Sequence, residues 1–394
     1  MGLEVAPRND IAIYSPFAYT FYEQSAGSLA QLGGAGGGAE LQATLLARQL
    51  ALRKFRVAHI VYPVQGAAGQ NEASLEVVTR AAGVARQRRS RVGRALGKIA
   101  DVIHIWRALG AADARLYLFR TGLSGGSAGF VTGALFCAVH RRRLVFAASS
   151  DLDFIFDRDD RARLTEALYR LCLRRARRVV VQTRRQRELA ERAVDAARIA
   201  LIPSFGEAAD SSDGAAHGTG FIWAGRLVEY KLPLRYLELA RSVPEARFRM
   251  IVTRTGETPE ALAAKLSEEA AQIPNLRIES RQGRDRVLEL IARSTAVVVT
   301  SRHEGMPNLF LEAWARGIPV LSLHFDPDGR IDAEGIGICA TGSWPRFVDA
   351  ARALWRDGDL QREIGERGRA YVRRMHSPET VAARWEATLR DALT

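Results

Sequence analysis

Cysteine is scarce in this chain. Cys137, Cys172 and Cys339 are the only thiols in 394 residues, and they stand far apart with no metal-ligand spacing. That excludes a disulfide-stapled scaffold and a zinc ribbon, and it fits buried thiols in a reducing compartment. Lysine is scarcer than the charge would lead one to expect. Lys54, Lys98, Lys231 and Lys265 are the whole set, so nearly all the bases are arginine. No apolar run reaches the ~20 residues that a membrane-spanning helix needs, and the first residues lack a signal-peptide layout. Acids are outnumbered by bases, 44 to 57, which leaves a net charge of +13. The excess calls for an anionic partner or a solvation role. Nucleic acid is not expected, because there is no zinc pattern, recognition-helix motif or aromatic-basic repeat. An anionic membrane surface fits better.

What the chain does have is regular alternation. Short apolar runs alternate with helical stretches from end to end, the pattern of a parallel α/β sheet. Strands are expected in the first half at 10–15, 56–62, 101–105, 115–119, 143–148, 178–182 and 199–202. In the second half they are expected at 219–224, 247–253, 275–279, 296–300, 319–323 and 336–340. The length suits two domains, each with its own core. The polar stretch SFGEAADSSDGAAHG at 204–218 is the linker candidate.

One stretch carries most of the chemistry: SRHEGMPNLFLEAWARGIPV at 301–320. Glu304 and Glu312 are separated by seven residues. AVVVT at 296–300 precedes them as a buried strand. Pro307 suits the first position of a helix, and Gly317 followed by Pro319 ends it. Free amides at a helix start beyond a parallel strand make a site for a diphosphate, and two carboxylates there accept bonds from sugar and ribose hydroxyls.

Two further segments have the same logic. FIWAGRLVEYKLP at 221–233 reads as strand, loop, helix start, with Arg226 and Lys231 in the loop where a diphosphate needs cations. Near the N-terminus, DIAIYSP is followed by GGAGGGAELQATLLARQLALRKF at 33–55. Glycines there let backbone approach a ligand, though a flexible linker is the plainer reading. The twenty or so residues between strand and helix exclude a dinucleotide-binding fingerprint, whose helix opens directly after its strand.

Together these segments resemble the family 4 retaining glycosyltransferases, with their E-x7-E signature and GT-B fold of two Rossmann-like parallel-sheet domains facing a cleft. The resemblance implies transfer of a sugar from a nucleotide diphosphate sugar to an acceptor hydroxyl, with retention. It places Glu304 beside the donor sugar and Glu312 on the ribose. Gly305, Met306, Asn308 and Leu309 line the donor site, and Arg226 and Lys231 hold the diphosphate, so no metal and no bound cofactor is required. Gly37, Gly38 and Glu40 match a glycine-rich element facing the donor. The implied division is 1–203 on the acceptor side, a linker at 204–218, a nucleotide-sugar domain at 219–376 and a final helix at 377–394 crossing back to the first domain.

Other residues are candidates of lower rank. Asp151 and Asp153 follow an apolar run as Asp-x-Asp, either as contacts to acceptor or sugar or as turn and cap residues. Relatives often carry a histidine near this strand end, where the chain has Ser149 and Ser150. His303 could border the sugar, or serve structure alone. Residues 80–98 hold seven bases and no acid, with a partial apolar face. They are either a solvated helix or one that lies on an anionic membrane, the inner face of the cell membrane for a cytoplasmic enzyme extending lipid-linked acceptors. Two alternatives to transfer stay open: a nucleotide-sugar epimerase of the same fold, and a non-enzymatic sugar- or lipid-binding relative.

Overall fold

A computed structural model describes residues 7–22, 37–62, 74–79, 91–120, 128–156, 163–207, 218–256, 258–302 and 304–394. The chain forms two units, Met1–Pro203 with Val381–Thr394, and Ser204–Thr380.

The first unit is built on seven parallel strands: β1 (Asn9–Tyr14), β2 (Val57–Ile60), β3 (Leu75–Val78), β4 (Ala114–Phe119), β5 (Arg143–Ala147), β6 (Arg178–Val181) and β7 (Ile199–Leu201). Their order is β3-β2-β1-β4-β5-β6-β7. Ile11, Ala12 and Ile13 are fully buried in a row, as are Leu116, Leu118 and Phe119. A strand covered on both faces needs such an unbroken apolar run. The covering helices are α1 (Gly38–Leu52), α2 (Arg91–Ala112), α3 (Ala128–Val139), α4 (Arg163–Arg175) and α5 (Arg184–Glu191).

The second unit has six parallel strands: β8 (Phe221–Arg226), β9 (Phe248–Thr253), β10 (Leu276–Ser280), β11 (Ala296–Val299), β12 (Val320–Ser322) and β13 (Gly337–Cys339), ordered β10-β9-β8-β11-β12-β13. Its helices are α6 (Pro233–Ser242), α7 (Glu260–Ala270), α8 (Arg284–Ala292), α9 (Asn308–Ala315), α10 (Arg330–Glu334), α11 (Trp344–Arg356) and α12 (Gly358–Met375). Both sheets follow the Rossmann order. The order reverses between β1 and β4 in one unit and between β8 and β11 in the other, and ligands of such sheets bind beyond the strand ends at that point.

A last helix, α13 (Pro378–Leu393), gives its residues from Val381 onward to the first unit. Arg53 pairs with Glu386 at 2.8 Å, and Arg178 Nε donates to Asp391 at 2.7 Å. On the other side, the segment after Pro203 is fastened within the second unit. Gly206 N donates to the His376 carbonyl, and His376 Nδ1 lies 2.7 Å from the Ser204 carbonyl. Residues 208–217 of the expected linker lie outside the described residues.

Three expectations need correction. Residues 101–105 are not a strand: DVIHI lies inside α2, whose buried Ile105, Ala108, Leu109 and Ala112 follow helical spacing. A strand in that half was missed at Leu75–Val78, too short and too polar beside Glu76 to stand out. Pro307 is not the first helical residue but the one before it, with ψ 122°. The C-terminal end of α9 is as expected. Gly317 has φ +70°, its N–H bonds to the Trp314 carbonyl, and that of Ile318 bonds to Ala313, which satisfies two end carbonyls.

Candidate functional site

In the second unit, the loops that leave β8 and β11 meet at the point where the strand order reverses. After β8 the chain makes a single turn at Glu229–Lys231. Leu232 then takes a left-handed conformation, φ +47°, before Pro233 starts α6. A leucine with positive φ is strained by about 1–3 kcal/mol and persists only where its surroundings fix it. Here Thr300, at the end of β11, does so. Its hydroxyl donates to the Lys231 carbonyl at 2.7 Å and accepts from Trp223 Nε1 at 3.1 Å. The Arg302 amide also bonds to the Tyr230 carbonyl.

That turn delivers Lys231 to Glu304. Lys231 Nζ donates to Glu304 Oε1 at 2.5 Å, and both side chains are largely screened from solvent. Arg226 points elsewhere. It is exposed, and one guanidinium nitrogen donates to the Tyr230 hydroxyl at 2.8 Å. Glu304 leads into α9 through the buried Gly305, and Met306, Asn308 and Leu309 are half-buried. His303 lies outside the described residues.

Glu312 sits one turn into α9 and pairs with Arg284, the first residue of α8. Arg284 also reaches Glu207 at 2.6 Å. Burial pushes the Glu312 carboxyl above its ordinary range, and Arg284 opposes that shift. Burial acts against the charge on Arg284 as well, but Glu312 and Glu207 outweigh it and hold the guanidinium protonated. Lys231 with Glu304 and Arg284 with Glu312 therefore form two acid–base pairs in this unit. Arg284 was not singled out from the sequence, where it is one arginine among many.

The first unit arranges its candidates differently. Gly37 caps α1, and its N–H donates to Glu40 Oε2 at 2.8 Å, so Glu40 closes its own helix start. Gly38 is the first, exposed residue of that helix. Beyond β5, Asp153 is fully buried. Its Oδ2 accepts from the amides of Ser149 and Ser150 and from the Ser149 hydroxyl at 2.8–3.2 Å. Asp151, also buried, pairs with Arg185 at 3.0 Å. So Ser149 and Ser150 act as the scaffold of Asp153. At the end of β4 stands Arg120, 95% buried, with no partner for its Nε among the described residues. Burial pulls its pKa down to about 10, against the attraction of Glu40 and Asp153. Among the described residues no cluster of three His, Cys, Asp or Glu side chains could hold a metal.

Residues 218–371 match the model of a family described as Glycosyl transferases group 1. N-acetyl-alpha-D-glucosaminyl L-malate synthase of Bacillus anthracis is 29% identical over 127 residues, 31% of this chain. The match spans 33% of that relative's own length. Among solved structures, Anabaena HepE in complex with UDP-glucose is similar with a TM-score of 0.72 and 15% identity, over 97% of this chain and 100% of that one. Sucrose-phosphate synthase from Thermosynechococcus elongatus is similar with the same TM-score and 14% identity, over 97% and 98%. At these identities the likeness shows the fold. It is GT-B, two Rossmann-like parallel-sheet domains.

Proposed function

We propose that this chain is a retaining glycosyltransferase. It moves a sugar from a nucleotide diphosphate sugar to a hydroxyl of a glycan, glycolipid or lipid-linked acceptor. The observation that carries this reading is the Lys231–Glu304 pair, held at the strand-order reversal inside the segment that matches the glycosyltransferase family. A lysine and a carboxylate bonded to each other form a site ready to be divided. An incoming diphosphate takes the ammonium, and a sugar hydroxyl takes the carboxylate.

In this proposal Arg226 turns from Tyr230 to the diphosphate, beside the amides at the start of α9. The leaving group is neutralised by these donors, so no metal ion is needed. Glu312 accepts from the ribose. Gly305, Met306, Asn308 and Leu309 line the donor. Gly37, Gly38, Glu40, Asp151 and Asp153 serve the acceptor or the sugar, from residues 1–203, with the donor domain at 219–376. HepE was crystallised with UDP-glucose, which makes a uridine donor the first to try. Lipid-linked acceptors would place the enzyme at the inner face of a membrane. No helix among the described residues is long and apolar enough to cross one.

A panel of nucleotide diphosphate sugars, screened by thermal shift and then by mass spectrometry of products, tests the reading. One donor should stabilise the protein, release its nucleoside diphosphate in the presence of EDTA, and give a product of unchanged anomeric configuration. Turnover that needs Mn²⁺, or an inverted product, overturns that part of the proposal. Conversion of the donor without any acceptor would identify an epimerase, and binding without turnover a non-enzymatic relative.

A further inference from the structure

Among the described residues, ten large apolar side chains are exposed, and eight of them lie on three helices of the first unit. Ile99, Val102 and Ile103 are on α2. Leu135 and Val139 are on α3. Leu164, Leu168 and Leu171 are on α4, one turn apart. The three helices are neighbours: α2 packs on α3, and α3 on α4. They share one core cluster beneath, through Ile105, Phe130, Phe136, Tyr169 and Leu173. Their outer sides therefore add up to one apolar face. Singly exposed leucines are ordinary, but a contiguous patch marks an interaction surface.

The charge of this face is mostly basic, with one half-buried acid, Asp101, between Ile99 and Val102 on α2. α3 carries no charged residue, and α4 carries Arg163, Arg170, Arg174 and Arg175 against a single acid, Glu166, which is buried. Where α3 and α4 end, a recess of about 470 Å³ is lined by Arg142, Arg143, Arg175 and Arg177. Arg142 reaches Asp113 at 3.2 Å, and Arg143 donates to the Thr394 carbonyl at 3.0 Å. α2 opens at Arg91 and so continues the acid-free basic run of the sequence, whose residues 80–90 lie outside the described residues.

We propose that the outer face of α2, α3 and α4 docks on an anionic lipid bilayer, its leucines and isoleucines entering the interfacial region and the arginine-lined recess taking a headgroup phosphate. Apolar side chains ringed by bases suit a surface that offers acyl chains and phosphates together. A second copy of the chain suits it poorly, because a two-fold contact sets arginines of one copy against those of the other. This deepens the membrane attachment proposed above. It requires neither donor nor acceptor, so it stands or falls apart from the transferase activity.

The full chain is mixed with phosphatidylcholine vesicles, with and without 30% phosphatidylglycerol, at low and high salt. Cosedimentation is expected with the anionic vesicles only, and it should weaken as salt rises. Leu164→Gln/Leu168→Gln/Leu171→Gln and, separately, Arg142→Gln/Arg175→Gln/Arg177→Gln should each lower vesicle affinity at least tenfold. Melting temperature and donor-induced thermal shift are checked for both variants. Should the leucine variant misfold, Leu164→Gln alone, on the most exposed of the three, should still lower affinity severalfold. Equal binding of folded variants and parent overturns the proposal. So does a concentration-dependent dimer, seen by sedimentation velocity, that the leucine changes abolish.

Discussion

The two sheets share one strand order, yet they fasten the polar residues near their reversal points in different ways. In the second unit Lys231 answers Glu304 and Arg284 answers Glu312, each side chain meeting one of opposite charge. In the first unit Asp153 is tied to the amides of Ser149 and Ser150 and Glu40 to the amide of Gly37, while Asp151 meets an arginine, Arg185. His59 and Arg120 are buried there with a ring nitrogen and a guanidinium nitrogen left without partners among the described residues. An acid–base pair can open and be shared with a ligand at modest loss. A buried group held by backbone keeps its place, and a buried group without a partner carries a standing cost. Under the proposed function, the second unit exchanges its pairs with a charged ligand and the first presents its groups rigidly.

The largest expected effect tests that standing cost. His59 is fully buried and bonded to the Tyr22 hydroxyl at 2.6 Å. Burial, with Arg48 nearby, pulls its pKa to about 3. The folded state therefore favours the neutral ring. Its contribution to stability is complete above about pH 6.5 and is lost as pH falls toward 3, at about 1.4 kcal/mol per unit. Between pH 7 and pH 4 that amounts to about 3 kcal/mol. Hydrogen exchange of first-unit peptides should show this loss, and His59→Gln should remove most of it while second-unit peptides keep their own pH response. A parent and variant of equal pH sensitivity would mean that His59 does not drive it.

Next in size is the pair that should open. Lys231→Ala is expected to lower kcat/KM about a hundredfold, or about 2.7 kcal/mol of barrier. Arg226→Ala, at an exposed side chain now resting on Tyr230, should cost about tenfold. Near-normal turnover of a folded Lys231→Ala protein would remove the lysine from the diphosphate site.

Legibility from sequence divides along the same line. All strands but β3 were readable, because buried parallel strands leave unbroken apolar runs such as AVVV at 296–299. The run DVIHI misled, since five apolar-rich residues cannot distinguish a strand from a buried turn of helix. Lys231 and Glu304 each follow their strand within a few residues, and the neighbouring strands β8 and β11 bring those ends together; their shared role at a donor site belongs to the proposal. The partner of Arg284 was not legible, because Gly283 marks the start of its helix but says nothing of which acid on another helix the arginine reaches. Arg120 and His59 could not be found either. Their meaning lies in burial, which a basic residue at a strand end does not announce.

Arg284 gives the third test. Its removal leaves Glu312 buried with only the weaker attraction of Arg316. Arg284→Ala should raise the Glu312 pKa further and weaken nucleoside diphosphate binding about fivefold, with the larger loss at pH 6 rather than pH 8, because a protonated carboxyl accepts poorly from a ribose. Arg284→Lys should restore part of it. Calorimetry at the two pH values checks this, and a loss independent of pH would reduce Arg284 to a structural cation.

The smallest expected effect bears on the first unit's rigid presentation. Glu40 closes the start of α1 by accepting from Gly37, and as an acid in the first turn it also favours the helix dipole. Glutamine can keep the hydrogen bond but not the charge. Glu40→Gln should therefore lower stability by only about 0.5 kcal/mol. If Glu40 also accepts from an acceptor or sugar hydroxyl, the amide weakens that contact too, and KM for the acceptor should rise two- to threefold while kcat holds. Glu40→Ala removes both the cap and the contact, and is expected to destabilise by about 1 kcal/mol and to raise that KM further. Steady-state kinetics beside thermal unfolding separates the two roles. A stability loss in both variants with unchanged acceptor KM would leave Glu40 as a helix cap alone, and would place whatever acceptor contacts the first unit makes on other residues.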